Sequence, residues 1–416
     1  MDSYLLDWAN LLLRWLHVIV AIAWIGASFY FVWLDNHLVK PQAEGLKSKG
    51  VDGELWAVHG GGFYNPQKYM VAPANLPQHL HWFYWESYWT WMSGFALFAL
   101  LYLFNADTYL IDKRVFDWSA PAAVAGALGF LAGGWVVYDQ ICRRFGRKPD
   151  GSIGNDGVVL GLIAVVVACA AWGTSQLFAG RAAFLITGAM LATMMSANVF
   201  FWIIPGQKQV IADMRAGRPV DPVHGQRGKQ RSVHNTYFTL PVLIAMLSNH
   251  YGMLYSHAQN WLVLVMLMLT GALVRTWFVK RHKGVDAWPL LVAVVMLLAI
   301  LIAWLAPKPT MLPVTMAPPA ATSATTPGTG ETTPALADST VVSFEQVKTI
   351  VNARCLACHN AALAPKRIQF HEPQMIEQHA AEIYQQVVVQ KTMPLNNATG
   401  ITDEERAALG RWFKAR

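Results

Sequence analysis

Uncharged, predominantly apolar stretches of about twenty residues recur along the first three quarters of the chain, at 15–34, 87–106, 119–138, 157–180, 182–207 and 287–307. A longer run, 232–274, is interrupted by Ser248-Asn249-His250-Tyr251-Gly252 and reads as two helices turning near 252–257. A bilayer core of about 30 Å takes about 20 helical residues to cross. The pattern therefore predicts eight membrane-spanning helices, the first beginning near Trp8.

Composition agrees. Of 416 residues 54% are hydrophobic and only 14% charged, against about 25% charged in soluble domains. Four cysteines cannot staple a chain of this length, which excludes a disulfide scaffold. The formal charge of +7 suggests nucleic acid until its distribution is examined. Arg143, Arg144, Arg147 and Lys148 lie between the third and fourth spans, and Lys208, Arg215, Arg218, Arg227, Lys229 and Arg231 between the fifth and sixth. Lys280, Arg281 and Lys283 lie between the seventh and eighth, whereas the intervening loops hold only Lys113, Arg114 and Arg181. Basic loops face the cytoplasm, so both ends of the bundle are expected outside, and no nucleic-acid partner is needed. Asp2 and Asp7 precede the first apolar stretch without a Lys or Arg, the opposite of a secretory n-region. The first span therefore reads as retained.

The residues divide into a transmembrane domain at 1–306, a linker at 307–340 and a soluble module at 341–416. The linker is rich in Pro, Ala and Thr and reads as an extended tether. The module carries Cys355-Leu356-Ala357-Cys358-His359, the C-x-x-C-H pattern that attaches c-type haem. Two thiols add to the haem vinyl groups and the adjacent imidazole reaches the iron. A zinc site would need a second ligand pair nearby, and a redox C-x-x-C has no use for the histidine. Met393 is the expected sixth ligand, preferred to Met375, which follows His359 too closely. Thr402-Asp403-Glu404-Glu405 with Leu409, Trp412 and Phe413 predicts an N-capped closing helix. The expected fold is all-α: an eight-helix transmembrane bundle followed by a small class I cytochrome c, the latter outside the membrane.

Ionisable groups inside spans are costly and usually functional. Arg14 and His17 fall in the first span, His79, His81 and Glu86 at the entrance of the second, and Asn198 in the fifth. His234 opens the sixth, His250 and His257 lie near the following turn, and Arg275 is in the seventh. His234 and His257 read as interfacial residues, Trp82, Trp85, Trp89 and Trp91 as an aromatic belt, and Cys142 and Cys169 as packing. Gly60-Gly61-Gly62 reads as a flexible turn and lacks the Lys-Ser/Thr of a phosphate loop. A c-type haem takes one electron at a time, which favours a second carrier in the bundle. His17 and His250, at similar depth on different helices, are the pair for a b-type haem, with His81 and His234 as the alternative.

Several strings are more specific than hydropathy: Trp15-Leu16-His17-Val18, Ala23-Trp24-Ile25-Gly26, Glu54-Leu55-Trp56-Ala57-Val58-His59-Gly60-Gly61-Gly62-Phe63-Tyr64, Leu80-His81-Trp82-Phe83 and His234-Asn235-Thr236-Tyr237. With them the chain resembles the bacterial membrane-bound, cytochrome c-linked urate oxidases, in both parts and in their order. The first span is also similar to the membrane-bound haem-containing protoporphyrinogen oxidases. The resemblance implies hydroxylation of urate to 5-hydroxyisourate with water as oxygen source. Electrons would pass to the chain's own haem c rather than to oxygen, and onward to a terminal oxidase or soluble cytochrome. It implies the bacterial inner membrane, with the cytochrome domain periplasmic, and a place in purine degradation. Urate, a planar anion formed in the cytoplasm, would then meet the polar loop 35–86. There Lys68, Asn65 and Phe63 are the expected binding residues, and Glu86 and His59 the general-base candidates. The alternative is a quinol or other small-molecule dehydrogenase, or an electron-transfer subunit, coupled to the same cytochrome.

Overall fold

The computed structural model describes residues 2–69, 73, 76–149, 152–306, 342–360, 368–389 and 391–416; the expected linker at 307–340 lies outside them. Helix makes up 72% of the structure and strand 4%. The chain forms two compact units, Met1–Leu301 and Ile302–Arg416.

Helix α1 (Asp2–His37) opens the first unit. At 1.5 Å per residue it is about 54 Å long, more than a bilayer core requires. A short helix α2 (Glu44–Lys47) follows, then four brief strands, β1 (Gly53–Glu54), β2 (Ala57–His59), β3 (Gly62–Tyr64) and β4 (Gln67–Lys68). They pair antiparallel, β1 with β4 and β2 with β3. The β2–β3 link is Gly60-Gly61, with φ of 60° and 80°. Positive φ at both central residues is the two-residue hairpin geometry that glycine supplies without strain. The glycine run is thus a hairpin turn.

Helix α3 (Trp85–Phe98) extends through a π turn, Ala99–Leu103, and a short α4 (Ala106–Tyr109) leads to α5 (Ala120–Phe145) and α6 (Asp156–Leu177). Helix α7 (Gly180–Asn198), the π turn Val199–Ile203 and α8 (Ile204–Arg215) join end to end. Helix α9 (Pro222–Leu247) contains Pro241 and ends in the 3₁₀ turn Ser248–His250. The short α10 (Gly252–Tyr255), then α11 (Asn260–His282) and α12 (Trp288–Leu305) complete the bundle.

Among the described residues, six helical stretches are long and apolar enough to cross a membrane: Trp8–His37, Ala120–Phe145, Asp156–Leu177, Gly180–Arg215, Asn260–His282 and Trp288–Leu305. The other two expected spans fall on α3 with its π turn and on the apolar half of α9. Outer faces of α1 and α12 expose Trp15, Ile22, Val295 and Ile302. Apolar surface this continuous is stable against lipid and a liability in water.

Helix α7 is the most enclosed stretch, packed by α5, α6 and α9. Small residues bring the neighbours close. A Cβ at Gly188 would stand 2.8 Å from Ala245 of α9, and one at Gly180 would collide with the Tyr255 carbonyl. At Gly271 of α11 it would come within 3.1 Å of the Leu240 backbone. A second cluster joins Phe98, Tyr102, Leu110, Ala127, Phe178 and Ile186.

In the C-terminal unit, α13 (Phe344–Arg354) and α16 (Asp403–Lys414) each start with a capping box, Ser343/Gln346 and Thr402/Glu405. Between them lie α14 (Pro373–Gln378), α15 (Ala380–Ile383) and the π turn Tyr384–Val389. Val347, Val351, Ile376, Ile383, Leu409 and Trp412 form the core. Phe344 and Trp412 pair across α13 and α16 at 5.9 Å.

Gly180→Ala is expected to lower the thermal unfolding midpoint of detergent-solubilised protein, at a cost of about 1–3 kcal/mol, because the obstructing atom is backbone. Gly129→Ala, where a Cβ meets nothing within 4 Å, is expected to leave the midpoint unchanged.

Candidate functional site

The expected urate residues of the first loop do not converge in this structure. His59 is exposed beside the hairpin tip, and Phe63 is 77% exposed. Asn65 donates through Nδ2 to the Glu54 carboxylate at 3.1 Å and to the Leu55 carbonyl at 3.2 Å, locking the ribbon. Lys68 pairs with Asp35 at 2.7 Å, tying the ribbon to α1. Glu86 is half-buried in the first turn of α3, where the helix dipole favours an anion, and no side-chain partner is recorded for it among the described residues. Beyond the ribbon, a cleft of about 380 Å³ opens between His81, Trp82 and Leu80 on one side and Gln207, Ile211 and Met214 of α8 on the other.

The two histidines expected to hold a second haem differ in setting. His17 Nδ1 lies 3.1 Å from the Thr90 carbonyl and 3.1 Å from Ser93 Oγ on α3. A carbonyl only accepts, so Nδ1 carries the proton and Nε2 keeps a lone pair, the orientation typical of metal-ligating histidine. Gly94 gives this ring room, since a Cβ there would sit 2.8 Å from it. His250 is exposed on the 3₁₀ turn after α9.

What the fold does assemble is a buried polar network at α5, α7 and α9. Arg231 Nη2 donates to Asp139 Oδ1 at 2.7 Å. Asp139 also accepts from Trp202 Nε1 at 2.8 Å and from Arg143 Nε at 2.6 Å. Asn198 Nδ2 reaches both the Tyr138 hydroxyl and Asn235 Oδ1 at 2.8 Å. The Tyr138 hydroxyl, accepting from Asn198, gives its own proton to His234 Nδ1 at 2.9 Å. His234 is thereby a neutral ring protonated on Nε2, fully buried, with that nitrogen unpartnered. The π turn places Trp202 just beyond Asn198, so one continuous helix supplies two members of the network.

Sequence reasoning picked out Asn198 and His234, and Asn235 as part of a family string, but not Tyr138, Asp139, Trp202 or Arg231 as site residues. It ended the third span at Tyr138 because Asp139 is charged, and assigned Arg231 to a basic loop. Asp139 and Arg143 at i,i+4 were the available signal.

In the C-terminal unit His359 Nδ1 donates to the Ile368 carbonyl at 3.0 Å, so the lone pair of the neutral ring lies on Nε2. Its ring lies 4.8 Å from Phe370. Cys355 is buried and Cys358 exposed; burial, with Cys358 beside it, pushes the Cys355 thiol up to about 12. Met393 packs on the same core, and its carbonyl accepts from Arg406 at 2.8 Å. Arg354 donates to both Glu405 oxygens, from Nε at 3.1 and 3.2 Å. Burial opposes ionisation of Glu405, but Arg354 and the capping-box hydrogen bond at Thr402 hold its carboxyl below the usual value. The donor set suits a covalently attached haem with histidine and methionine ligands.

Residues 3–306 match the family described as urate oxidase, N-terminal. No curated protein and no solved structure matches the chain.

Asp139→Asn is expected to destabilise the bundle by about 3–5 kcal/mol, because it strands Arg231 as a buried, unpaired cation. Asp139→Leu with Arg231→Met should recover most of that loss in thermal unfolding. In the C-terminal unit, Glu405→Gln is expected to cost about 1 kcal/mol near neutral pH and to flatten the acid response. The folded pKa of Glu405 lies below its unfolded value, so its contribution is complete above the unfolded pKa and fades as pH falls through the folded one. Hydrogen exchange of α13 and α16 in the intact chain, followed from neutral pH to about pH 3, measures both effects.

Proposed function

Since the chain belongs to the urate oxidase N-terminal family, we propose that it is a membrane-bound urate oxidase that uses water, not oxygen, as the source of the new hydroxyl. Urate plus water gives 5-hydroxyisourate, two protons and two electrons. The observation that carries this reading is the family match over 3–306 in one chain with a C-terminal C-x-x-C-H module.

Eight spans are proposed, the six long apolar helices together with α3 and the apolar half of α9. The clustering of Arg and Lys at alternate helix ends supports a cytoplasmic face for those ends. Both termini then lie outside, with the C-terminal unit periplasmic to the bacterial inner membrane.

Cys355 and Cys358 would attach a c-type haem covalently, and His359 and Met393 would hold its iron. Bound there, the haem supplies a one-electron acceptor, and a terminal oxidase or soluble cytochrome takes the electrons onward. The Ile368 carbonyl fixes the orientation of the His359 ring by accepting from Nδ1. Arg406 anchors the Met393 segment by donating to its carbonyl and to that of Val387. His17, with Nδ1 committed to Thr90, is the better prepared of the two histidines proposed for a b-type haem. On the substrate side Glu86, whose carboxylate has no partner among the described residues, is proposed ahead of the exposed His59 as the group that takes a proton from water or urate.

Anaerobic addition of urate to the oxidised holoprotein is expected to reduce a c-type absorption band while urate is consumed and no hydrogen peroxide forms. Cys355→Ala with Cys358→Ala should abolish that band together with the covalently bound haem. Reduction by a quinol and not by urate would instead assign the chain to quinol oxidation.

A further inference from the structure

Helix α11 carries an arginine that the network around Asp139 does not explain. Arg275 is 1% exposed, and its Nε and Nη2 have no hydrogen-bond partner among the described residues. Its guanidinium carbon lies 3.7 Å from the ring centroid of Phe29 on α1. The titratable groups in electrostatic reach are Tyr237 of α9 and His282 one helical stretch further along α11, and no carboxylate pairs with it among the described residues. Arg231, the other buried arginine in a comparable setting, has Asp139.

A guanidinium removed from water without a counterion costs several kcal/mol, and stacking on Phe29 returns only part of that. The arrangement is stable as a functional state if an anion completes it. With one face on Phe29, the free Nε and Nη2 present parallel N–H donors along one edge, the fork that binds a planar acceptor pair. Both nitrogens are closed from solvent in this structure, so a ligand reaches them by displacement of α1. Helix α1 packs along α3 and meets α9 and α11 over few residues. At the same end of the seam Trp33 stacks on His37 at 4.9 Å, and His37 meets His282 edge-on at 5.2 Å. Aromatic surface and ring nitrogens thus lie at the end of the seam towards which Arg275 is placed.

We propose that Arg275 is the substrate-anion residue of this protein, holding the planar urate anion by its Nε/Nη2 edge between α1, α9 and α11. This rests on the urate reading given above and locates the substrate away from the β-ribbon loop.

The test uses detergent-solubilised holoprotein. Binding of radiolabelled urate to dithionite-reduced protein, which cannot turn over, is compared for wild type, Arg275→Gln and Arg275→Lys, alongside an uncharged N-methylated purine. Arg275→Gln is expected to weaken urate binding at least tenfold while leaving the uncharged purine unaffected, and to raise KM for urate-driven haem reduction by a similar factor. Arg275→Lys, which keeps the charge but not the fork, should fall between and controls for folding. Equal affinities for urate in all three proteins, or equal loss for both ligands, would overturn the assignment while leaving urate oxidation intact. A wild-type protein that urate does not reduce would overturn the function itself, and this site with it.

Discussion

The Arg231–Asp139 ion pair is the interaction on which the arrangement of the bundle turns. Neither charge is tolerable alone in a low-dielectric interior, and together they fix α9 against α5 in one register. Trp202 and Arg143 fill the remaining acceptor positions of Asp139, so the pair also fixes the π turn after α7. Once those three helices are set, Asn198, Tyr138, His234 and Asn235 bond to one another, and Asn235 also donates to the Met195 carbonyl. Small residues at Gly180 and Gly188 let α7 sit deep enough for this to happen.

Two buried arginines in one bundle then mean different things. Arg231 is satisfied, and its role is to hold structure. Arg275 has an aromatic face and, among the described residues, no counterion, so it stands as a bare cation in an apolar seam. Buried charge of this second kind is expensive to retain without a use. The same distinction separates His17, which has one nitrogen committed to a carbonyl and one left open, from histidines that only pack.

The C-terminal unit follows a different logic. It is too small for a large apolar core, so it relies on two capping boxes, the Arg354–Glu405 link and the Phe344–Trp412 contact. These hold α13 and α16 together, and Cys355 and Met393 pack on the same core.

The sequence by itself determined most of the helices, the composition break before the linker, the C-x-x-C-H motif and the family, because hydrophobic period, turn residues and motif spacing are local properties. It also located the N-cap at Thr402, whose partner Glu405 is three residues away. It did not determine which polar residues meet. The glycine run at 60–62 was legible as a turn, but the exposure of His59 and Phe63 and the pairing of Lys68 with Asp35 depend on how a ribbon folds back on α1. Asp139 looked like the end of a span until Arg231, 92 residues later, arrived to neutralise it. Arg275 was visible as a charge in an apolar run, whereas its lack of a partner is a property of three helices packed together. Tertiary structure decided these points because satisfaction of a buried charge is a long-range condition, set by neighbours that no local pattern names.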